Sequence, residues 1–285
     1  MRTAEGAFEK LNAAGGIRYN RATGGKDATV WNLSGRYSLT DTLYVQSVIG
    51  TAFLLPSAEQ LYYLGEEFGD YAGNPDLEPE ESRNVNLSIG GHIPLGSRSL
   101  DWLLTGFARY IYNLIDVGYD DPAYPNGRYE NVEGTVEVRG AEASLSAPLG
   151  DAFTATASYT YTRSRNEGSD LQRPRTPERY AKAGLNYRSQ RFEAGASLYW
   201  VGDTYQTVGG FGRRNYGDYT TLNLFGNMYI DRAQHHRVGL NVQNLFDEEY
   251  ATRLQQVQAD DGSGPVLVQY LGVPQTISLN YTYDF

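Results

Sequence analysis

The sequence predicts an all-β protein, an antiparallel transmembrane β-barrel of about twelve strands. Three observations predict this fold class. Apolar and polar residues alternate in many segments, the links between those segments are alternately short and long, and the chain ends on an aromatic residue of an alternating segment. Alternation with a period of two places apolar side chains on one face of a strand and polar side chains on the other.

The last twelve residues show the alternation most clearly. Polar residues separate the apolar positions Ile277, Leu279, Tyr281, Tyr283 and Phe285 without a break. No polar tail follows Phe285 to protect an exposed edge. We therefore interpret this segment as the closing strand of an outer-membrane barrel.

The same pattern recurs along the chain and gives twelve predicted strands, an even number as bacterial barrels require. In chain order they are 8–20, 28–39, 42–50, 82–92, 100–113, 131–147, 152–162, 177–188, 191–201, 216–229, 235–246 and 274–285. No segment shows a helical period. The mid-strand charges fall on the polar face: Arg18, Arg36, Arg109, Glu142, Lys182, Glu193 and Arg237. A hydrated lumen accepts such charges, whereas the dry core of a β-sandwich does not.

The links between the predicted strands are alternately short and long. The long links are 51–81, 114–130, 163–176, 202–215 and 247–273. This pattern predicts tight periplasmic turns and long outer loops. A water-soluble barrel or a sandwich is the alternative, but neither needs long loops at one end or a charged inner face.

Composition excludes several classes of protein. The chain has 285 residues, a net charge of -10, no Cys and 24 Tyr. The acidic balance argues against a nucleic-acid partner, and the lack of Cys excludes disulfides and thiolate metal sites. No run of 18 apolar residues is present, so a transmembrane helix is not expected. The mean hydropathy of -0.50 suits strands that alternate apolar and polar residues.

Neither catalysis nor metal binding is predicted. The three histidines, His92, His235 and His236, lie near short turns and so at the periplasmic end, away from any outer-rim catalytic pair. The adjacent His235 and His236 point to opposite faces of a strand and cannot chelate one metal together. Asp120-Asp121 and Asp260-Asp261 could bind Ca²⁺ weakly, but solvated loop charge is the favoured interpretation. We therefore expect no enzyme and no cofactor.

Six motifs, in order along the chain, resemble those of the C-terminal part of TonB-dependent outer-membrane receptors. They are Gly16-Ile17-Arg18-Tyr19, the stretch from Ala52-Phe53 to Leu61-Tyr62, Gly73-Asn74-Pro75-Asp76-Leu77-Glu78-Pro79-Glu80, Asn131-Val132 with Arg139-Gly140-Ala141-Glu142, Asn244-Leu245-Phe246-Asp247-Glu248-Glu249-Tyr250, and the aromatic C-terminal strand. Each motif alone is weak, but six in the family's order over nearly the whole chain are specific.

The resemblance implies a larger parent protein. Transporters of this kind have roughly 22 strands around a plugged lumen, so residues 1–285 would form the C-terminal portion of a barrel domain. A signal peptide, the plug domain and the segment that contacts TonB have no counterpart here, and Met1 is not expected to be the native start. Strand 8–20 would then be an edge unless missing strands are restored or the fragment closes on itself. The implied location is the Gram-negative outer membrane, among lipid and lipopolysaccharide.

The outer loops are the predicted ligand surface, because aromatic rings offer stacking surface and Arg offers planar donors. The candidate residues are Tyr62, Tyr63, Tyr71, Tyr124, Arg128, Arg163, Arg165, Arg173, Arg175, Tyr205, Arg213 and Arg214; Phe68, Tyr119, Tyr129 and Phe211 lie in the same loops. An anionic ferric siderophore would suit them. The alternative is that the Tyr belong to the interfacial girdle and the Arg neutralise lipopolysaccharide phosphates. Asn74, Pro75, Pro79, Asn244 and Phe246 are interpreted as structural.

The resemblance implies the function of the parent protein: TonB-dependent import of a scarce nutrient, with a ferric siderophore favoured. Haem is disfavoured because no outer loop offers a His ligand, while cobalamin and oligosaccharide stay open. We expect these residues alone to bind ligand poorly and to transport nothing actively. Two other classes remain: a self-closed passive channel, and a structural or adhesive surface barrel.

Overall fold

The computed structural model describes residues 10–21, 27–64, 71–119, 121–259 and 262–285. Twelve long strands form one sheet, in the order β1-β2-β3-β4-β5-β8-β9-β10-β11-β14-β15-β18. Their bounds are β1 Leu11–Asn20, β2 Ala28–Ser38, β3 Leu43–Leu54, β4 Glu80–Leu95, β5 Arg98–Tyr112, β8 Thr135–Leu149, β9 Phe153–Asn166, β10 Arg179–Arg188, β11 Phe192–Gly202, β14 Tyr219–Tyr229, β15 His236–Gln243 and β18 Thr276–Tyr283. Each of the twelve predicted strands overlaps one of these, which confirms the predicted all-β class with an antiparallel sheet.

The long links contain structure that the sequence pattern did not predict. Three pairs of short strands form hairpins there: β6 Ile115–Gly118 with β7 Arg128–Asn131, β12 Tyr205–Val208 with β13 Gly212–Asn215, and β16 Ala251–Gln258 with β17 Pro265–Leu271. A single helical turn, α1 (Ala58–Tyr62), follows β3. This turn has only five residues, too few to leave a helical period in the sequence. Among the described residues, no helix is long and apolar enough to cross a membrane.

The chain divides into two compact units. The first comprises Met1–Ile89, Gly106–Arg139 and Arg163–Leu171, and the second comprises Gly90–Thr105, Gly140–Thr162 and Gln172–Phe285. The first unit contains β1–β3, α1 and the β6–β7 hairpin. The second contains β10–β18.

The sheet of the second unit carries its apolar residues on an exposed face. The antiparallel registers place Leu185 opposite Ala196, Ala196 opposite Leu224, and Leu224 opposite Val242. The side chain of Leu185 is 43% exposed, and Leu198, Leu240 and Leu279 on the same face are also exposed. Such a face is unfavourable in water and suited to a hydrocarbon environment.

The opposite face of this sheet is polar. Lys182 lies opposite Ser158 on one side and opposite Tyr199 on the other, with its ammonium 5.1 Å from the Tyr199 ring centroid. Asn227 and Asn280 flank Gly239 in the same way. Their side-chain amides fill the space where a Cβ at Gly239 would lie. The predicted division into an apolar and a polar face is therefore present in these strands.

The buried apolar cluster found among the described residues lies in the hairpins of the second unit, not on its sheet. Val208, Ala251 and Leu254 are buried there, and Phe211, Tyr216 and Leu267 pack against them. The β12–β13 and β16–β17 hairpins therefore share a small hydrophobic core of their own.

Candidate ligand site in the outer loops

In the first unit, the loop after β3 begins with a capped helical turn. The hydroxyl of Ser57 accepts from the Gln60 backbone N–H at 3.1 Å, and the Gln60 side-chain oxygen accepts from the Ser57 N–H at 2.8 Å. This reciprocal pair is a capping box, which satisfies two donors at the start of α1. Tyr62, on α1, is 64% exposed, and the adjacent Tyr63 is also exposed.

The motif around Asn74 joins three parts of this loop region. The Asn74 backbone N–H donates to the Gln60 carbonyl at 2.7 Å, and its side-chain amide donates to the Tyr129 carbonyl at 2.9 Å. A Cβ on Gly73 would lie 2.6 Å from the Tyr63 nitrogen, so this close approach of chains requires glycine. These contacts support the structural interpretation of the motif.

Arg128 and four tyrosines lie around that junction. The Arg128 guanidinium donates to the Asn74 side-chain oxygen at 3.0 Å, and its carbon lies 4.8 Å from the Tyr124 ring centroid. Tyr71 makes edge contacts with Tyr119 and Tyr129, with ring centroids 6.4 and 6.0 Å apart. The predicted residues Tyr71, Tyr124 and Arg128 are therefore brought together, with Tyr119 and Tyr129 added.

Asn131 closes the base of the β6–β7 hairpin. Its side chain accepts from the Glu78 N–H at 2.8 Å and donates to the carbonyls of Glu78 and Asn113 at 3.0 and 2.8 Å. The Ile115 N–H donates to a Glu80 carboxylate oxygen at 2.9 Å. Glu78, Glu80 and Asn131, which the sequence analysis named only as members of motifs, thus hold the hairpin to the start of β4.

Arg163 and Arg165 do not belong to the loop in which the sequence analysis placed them. Both lie in β9, which extends to Asn166, four residues beyond the predicted strand end. Arg165 pairs with Glu137 at 3.2 Å and with Asp170 at 3.4 Å, and Arg163 pairs with Asp170 at 3.8 Å. Carboxylates therefore offset part of the predicted cationic character of this region.

In the second unit, the remaining predicted arginines lie where the 172–178 segment meets the β12–β13 hairpin. The Arg213 guanidinium lies 4.4 Å from the Tyr205 ring centroid and donates to the Gln172 carbonyl at 2.8 Å. The Arg175 N–H donates to the Tyr205 carbonyl at 2.8 Å. Arg175 has a φ of 59°, which is uncommon outside glycine and turns the chain sharply at this point. Arg214, on β13, is exposed, and Arg173 is partly exposed.

Gln206 ties the two outer hairpins of the second unit together. Its side-chain nitrogen donates to the Leu254 carbonyl at 2.6 Å, and its side-chain oxygen accepts from the Leu254 N–H at 3.1 Å. Burial raises the pKa of the nearby Tyr216 phenol, and the positive charge of Arg175 partly opposes this shift. Segment 172–178 and the hairpins β12–β13 and β16–β17 are therefore joined into one assembly, which we name the loop platform.

Asn244, in the motif at the end of β15, is almost fully buried and has a φ of 48°. Its amide nitrogen donates to the carbonyls of Glu248 and Val273 at 2.9 Å each, and its oxygen accepts from the Glu248 N–H at 3.0 Å. Asn is one of the few residues that adopt this backbone conformation readily. These contacts support the predicted structural role of Asn244. Phe246, in the same motif, is 73% exposed.

The first unit also contains a cavity that the sequence analysis did not anticipate. It has a volume of about 210 Å³ and is lined by residues that include Asp27, Trp31, Glu81, Arg83 and Tyr112. Its residues are distributed over β2 to β5 and the segment before β2, so no local motif marks them.

In the described part of the chain, no group of three or more His, Asp or Glu side chains lies close enough together to hold a metal ion. Asp121 uses a carboxylate oxygen to accept from the Ala123 N–H at 2.9 Å. Asp120, Asp260 and Asp261, proposed as weak Ca²⁺ ligands, lie outside the described residues, as do Phe68 and residues 8 and 9 of the first predicted strand.

Comparison with known proteins agrees with this architecture. The family model for the TonB dependent receptor-like β-barrel matches residues 4–245. The vitamin B12 transporter BtuB of Photobacterium profundum is 28% identical over 225 residues, which cover 78% of this chain and 34% of that protein. The chain therefore spans about a third of the length of this curated relative.

Solved structures show the same fold. The ferric enterobactin receptor PfeA of Pseudomonas aeruginosa superimposes with a TM-score of 0.73 at 21% identity, covering 97% of this chain and 43% of that one. The ferripyoverdine receptor of P. aeruginosa gives a TM-score of 0.71 at 20% identity, with coverage of 97% and 37%. The copper transporter OprC gives 0.69 at 18% identity, with coverage of 91% and 41%.

These matches locate the protein in the Gram-negative outer membrane. These proteins are named as transporters of vitamin B12 and copper and as a receptor for ferric enterobactin. The chain belongs to the TonB-dependent receptor family and forms part of its β-barrel domain.

Proposed function

We propose that this chain is the ligand-capturing C-terminal part of a TonB-dependent receptor that imports an anionic ferric siderophore. The observation that carries the proposal is the loop platform. Tyr205, Arg213 and Arg175 are held there on a scaffold with its own hydrophobic core. A preorganised surface of rings and guanidinium groups loses little conformational entropy when it binds a catecholate or carboxylate ligand.

The transport step follows from family membership and needs parts beyond these residues. The outer loops would capture the ligand, a plug would close the lumen, and TonB would supply the energy that displaces the plug. The polar inner face of the second unit's sheet, with Lys182, Tyr199, Asn227 and Asn280, is compatible with a hydrated path.

Cobalamin is the second candidate, and a specific observation favours it: the sequence relative named above is a vitamin B12 transporter. The two ligands differ in charge, because a ferric siderophore with catecholate or carboxylate groups is anionic. Dependence of affinity on the exposed arginines should therefore separate them.

The test compares binding of a ferric catecholate siderophore and of cyanocobalamin to the full-length protein. The variant Arg175→Gln/Arg214→Gln removes two exposed cations from the loop platform. The matched control, Arg191→Gln/Arg232→Gln, removes two exposed cations from short turns at the other end of the strands. Loss of one charge-assisted contact should weaken siderophore binding about tenfold.

Siderophore affinity that is unchanged in Arg175→Gln/Arg214→Gln would contradict the proposed site. Tight binding of cyanocobalamin, with no siderophore binding, would favour the second candidate. Uptake of radiolabelled ligand should also require a functional TonB in the cell. Uptake that continues unchanged without TonB would instead support a passive channel.

A further inference from the structure

Three arginines lie on the apolar side of their strands, at the outer ends. In β9, the exposed residues Phe153 and Tyr159 have odd numbers, and so do Arg163 and Arg165 further along the strand. A strand with a period of two places all of these side chains on one face. Arg163 and Arg165 therefore lie on the outward, lipid-facing side of β9 and not on its lumen side.

The neighbouring strand shows the same arrangement. In β8, the exposed Leu145 and Leu149 occupy odd positions, and Arg139 and Glu137 share their parity. Arg139 is therefore also directed outward, and the contacts between the strands agree with this assignment. Glu137 lies 3.3 Å from Arg139 and 3.2 Å from Arg165, which requires all three side chains to lie on one side of the sheet.

These side chains form a continuous network that we name the outward arginine cluster: Arg139, Arg163 and Arg165. The Arg139 guanidinium donates to the Tyr110 hydroxyl at 2.8 Å. Asp170 bridges Arg163 and Arg165 at 3.8 and 3.4 Å. The cluster thus has three cations, two carboxylates and one phenol, and all of them belong to the first unit.

The length of the strands places the cluster near the membrane surface. A barrel strand needs about 9–11 residues to cross the hydrocarbon region, whereas β8 has 15 residues and β9 has 14. Arg139 is the fifth residue from the outer end of β8, and Arg163 is the fourth from the outer end of β9. An outward Arg is strongly unfavourable at the bilayer midplane but is tolerated near the interface.

The cluster has the charge and geometry for phosphate. Its cations exceed its carboxylates by one in a chain whose net charge is -10. The Arg139 and Arg163 side chains are 53% and 47% exposed. Each guanidinium carries five N–H donors in a planar fork that matches a phosphate group, and Glu137 holds two of the forks side by side.

We propose that the outward arginine cluster binds phosphate groups of lipopolysaccharide in the outer leaflet. A phosphorylated glycolipid fits because the cluster faces the lipid and lies at headgroup height. Arg83, stacked 5.4 Å from the Tyr112 ring, also lies at the outer end of its strand. It shares its cavity with Asp27 and Glu81 and is therefore a weaker anion site.

Native mass spectrometry of the full-length protein in detergent tests the proposal with purified bisphosphorylated lipid A as the probe. The variant Arg139→Gln/Arg163→Gln/Arg165→Gln should bind lipid A at least about tenfold more weakly, because it loses its charge-assisted contacts. The matched control Arg188→Gln/Arg191→Gln/Arg232→Gln removes three arginines from the periplasmic end and should bind normally. Replacement of the three cluster residues by Lys should give an intermediate loss.

Equal binding of lipid A by the wild type and the Gln triple variant would overturn the proposal. So would equal binding of dephosphorylated lipid A, or full competition by phosphatidylglycerol, since either would mean non-specific lipid adsorption. Inorganic phosphate at millimolar concentration should displace lipid A only in part, since it reproduces only one of the contacts of the glycolipid; complete displacement would indicate a soluble-anion site and overturn the assignment to the glycolipid. If the triple variant does not fold, Arg163→Gln, which removes a single cation, should still lower lipid A binding a few-fold.

Discussion

Two leucines of the second unit illustrate how differently its sheet and its loop platform are stabilised. Leu279, on β18, is 76% exposed, whereas Leu254, on β16, is 2% exposed. The sheet presents leucines such as Leu279 outward, whereas the hairpins bury Leu254 in a core that they share. The sheet therefore depends on lipid to cover its apolar face, while the loop platform contains a core that excludes water.

Truncation of a side chain in the core of the loop platform should affect the hairpins far more than truncation of a leucine on the sheet. Leu254→Ala should lower the free energy of local unfolding of the hairpins by about 2–5 kcal/mol, since it removes a buried side chain and leaves a cavity. Hydrogen exchange of β12, β13, β16 and β17 amides, measured in nanodiscs, would report the change. Leu279→Ala is the matched control and should leave those amides unaffected. Equal effects of the two substitutions would refute the distinction.

A charge on the outward face should damage the sheet without affecting the hairpins. Leu240→Arg should destabilise the protein by about 2–4 kcal/mol, because the charge would enter the hydrocarbon region. Its neighbour Asn241 lies on the polar face, opposite Phe225 and Ser278. Asn241→Arg should therefore have a much smaller effect in urea unfolding from liposomes. Equal destabilisation by the two substitutions would show that the face assignment is wrong.

The link between the two hairpins can be removed without creating a large cavity. Gln206→Leu should destabilise the loop platform by about 1–3 kcal/mol, because the Leu254 N–H and carbonyl lose their partners in a buried position. Gln258→Leu, at an exposed position of β16, is the control. Protease cleavage within residues 244–275 should become faster only in the Gln206 variant. Unchanged cleavage would mean that apolar contacts alone hold the hairpins together.

The smallest predicted effect is a pH dependence at the short turn before β15. The His236 backbone N–H donates to Asp231 at 2.9 Å, and this hydrogen bond is the main cause that holds the pKa of Asp231 below its ordinary value of 3.8. A lowered pKa means that the stabilisation is present above 3.8 and is lost as the pH falls below it. Unfolding rates at pH 6 and pH 2.5 should therefore differ less in Asp231→Asn than in the wild type. An identical pH dependence would contradict the assignment.

The twelve long strands could be predicted because each lies between a polar and an apolar environment, which leaves a period of two in the sequence. The end of β9 could not, since beyond Tyr161 both faces carry polar residues and the contrast disappears. That error placed Arg163 and Arg165 in a loop. The short strands β12 and β13 have only four residues each, too few to show a period.

Two features of the loops carry a local signal in the sequence. Ser57 followed three residues later by Gln60 is the sequence pattern of a capping box, and it marks α1. Residues 266–271 form a short run rich in β-branched and aromatic residues between Pro265 and Gly272, which is a local signal for the strand β17. The approach of Gln206 to Leu254 has no such signal, because the two residues are 48 positions apart and nothing local connects them.

Main-chain atoms supply many of the contacts that join the loop platform. Arg213 reaches the Gln172 carbonyl, Arg175 reaches the Tyr205 carbonyl, and Gln206 reaches the N–H and carbonyl of Leu254. These bonds use main-chain atoms of Gln172, Tyr205 and Leu254, so the bonds themselves do not specify the side chains at those positions, although the Leu254 side chain is needed in the core. In evolutionary terms, the exposed side chains at the tips of the loops are free to diversify, so a lineage could acquire a new ligand while its scaffold stays constant.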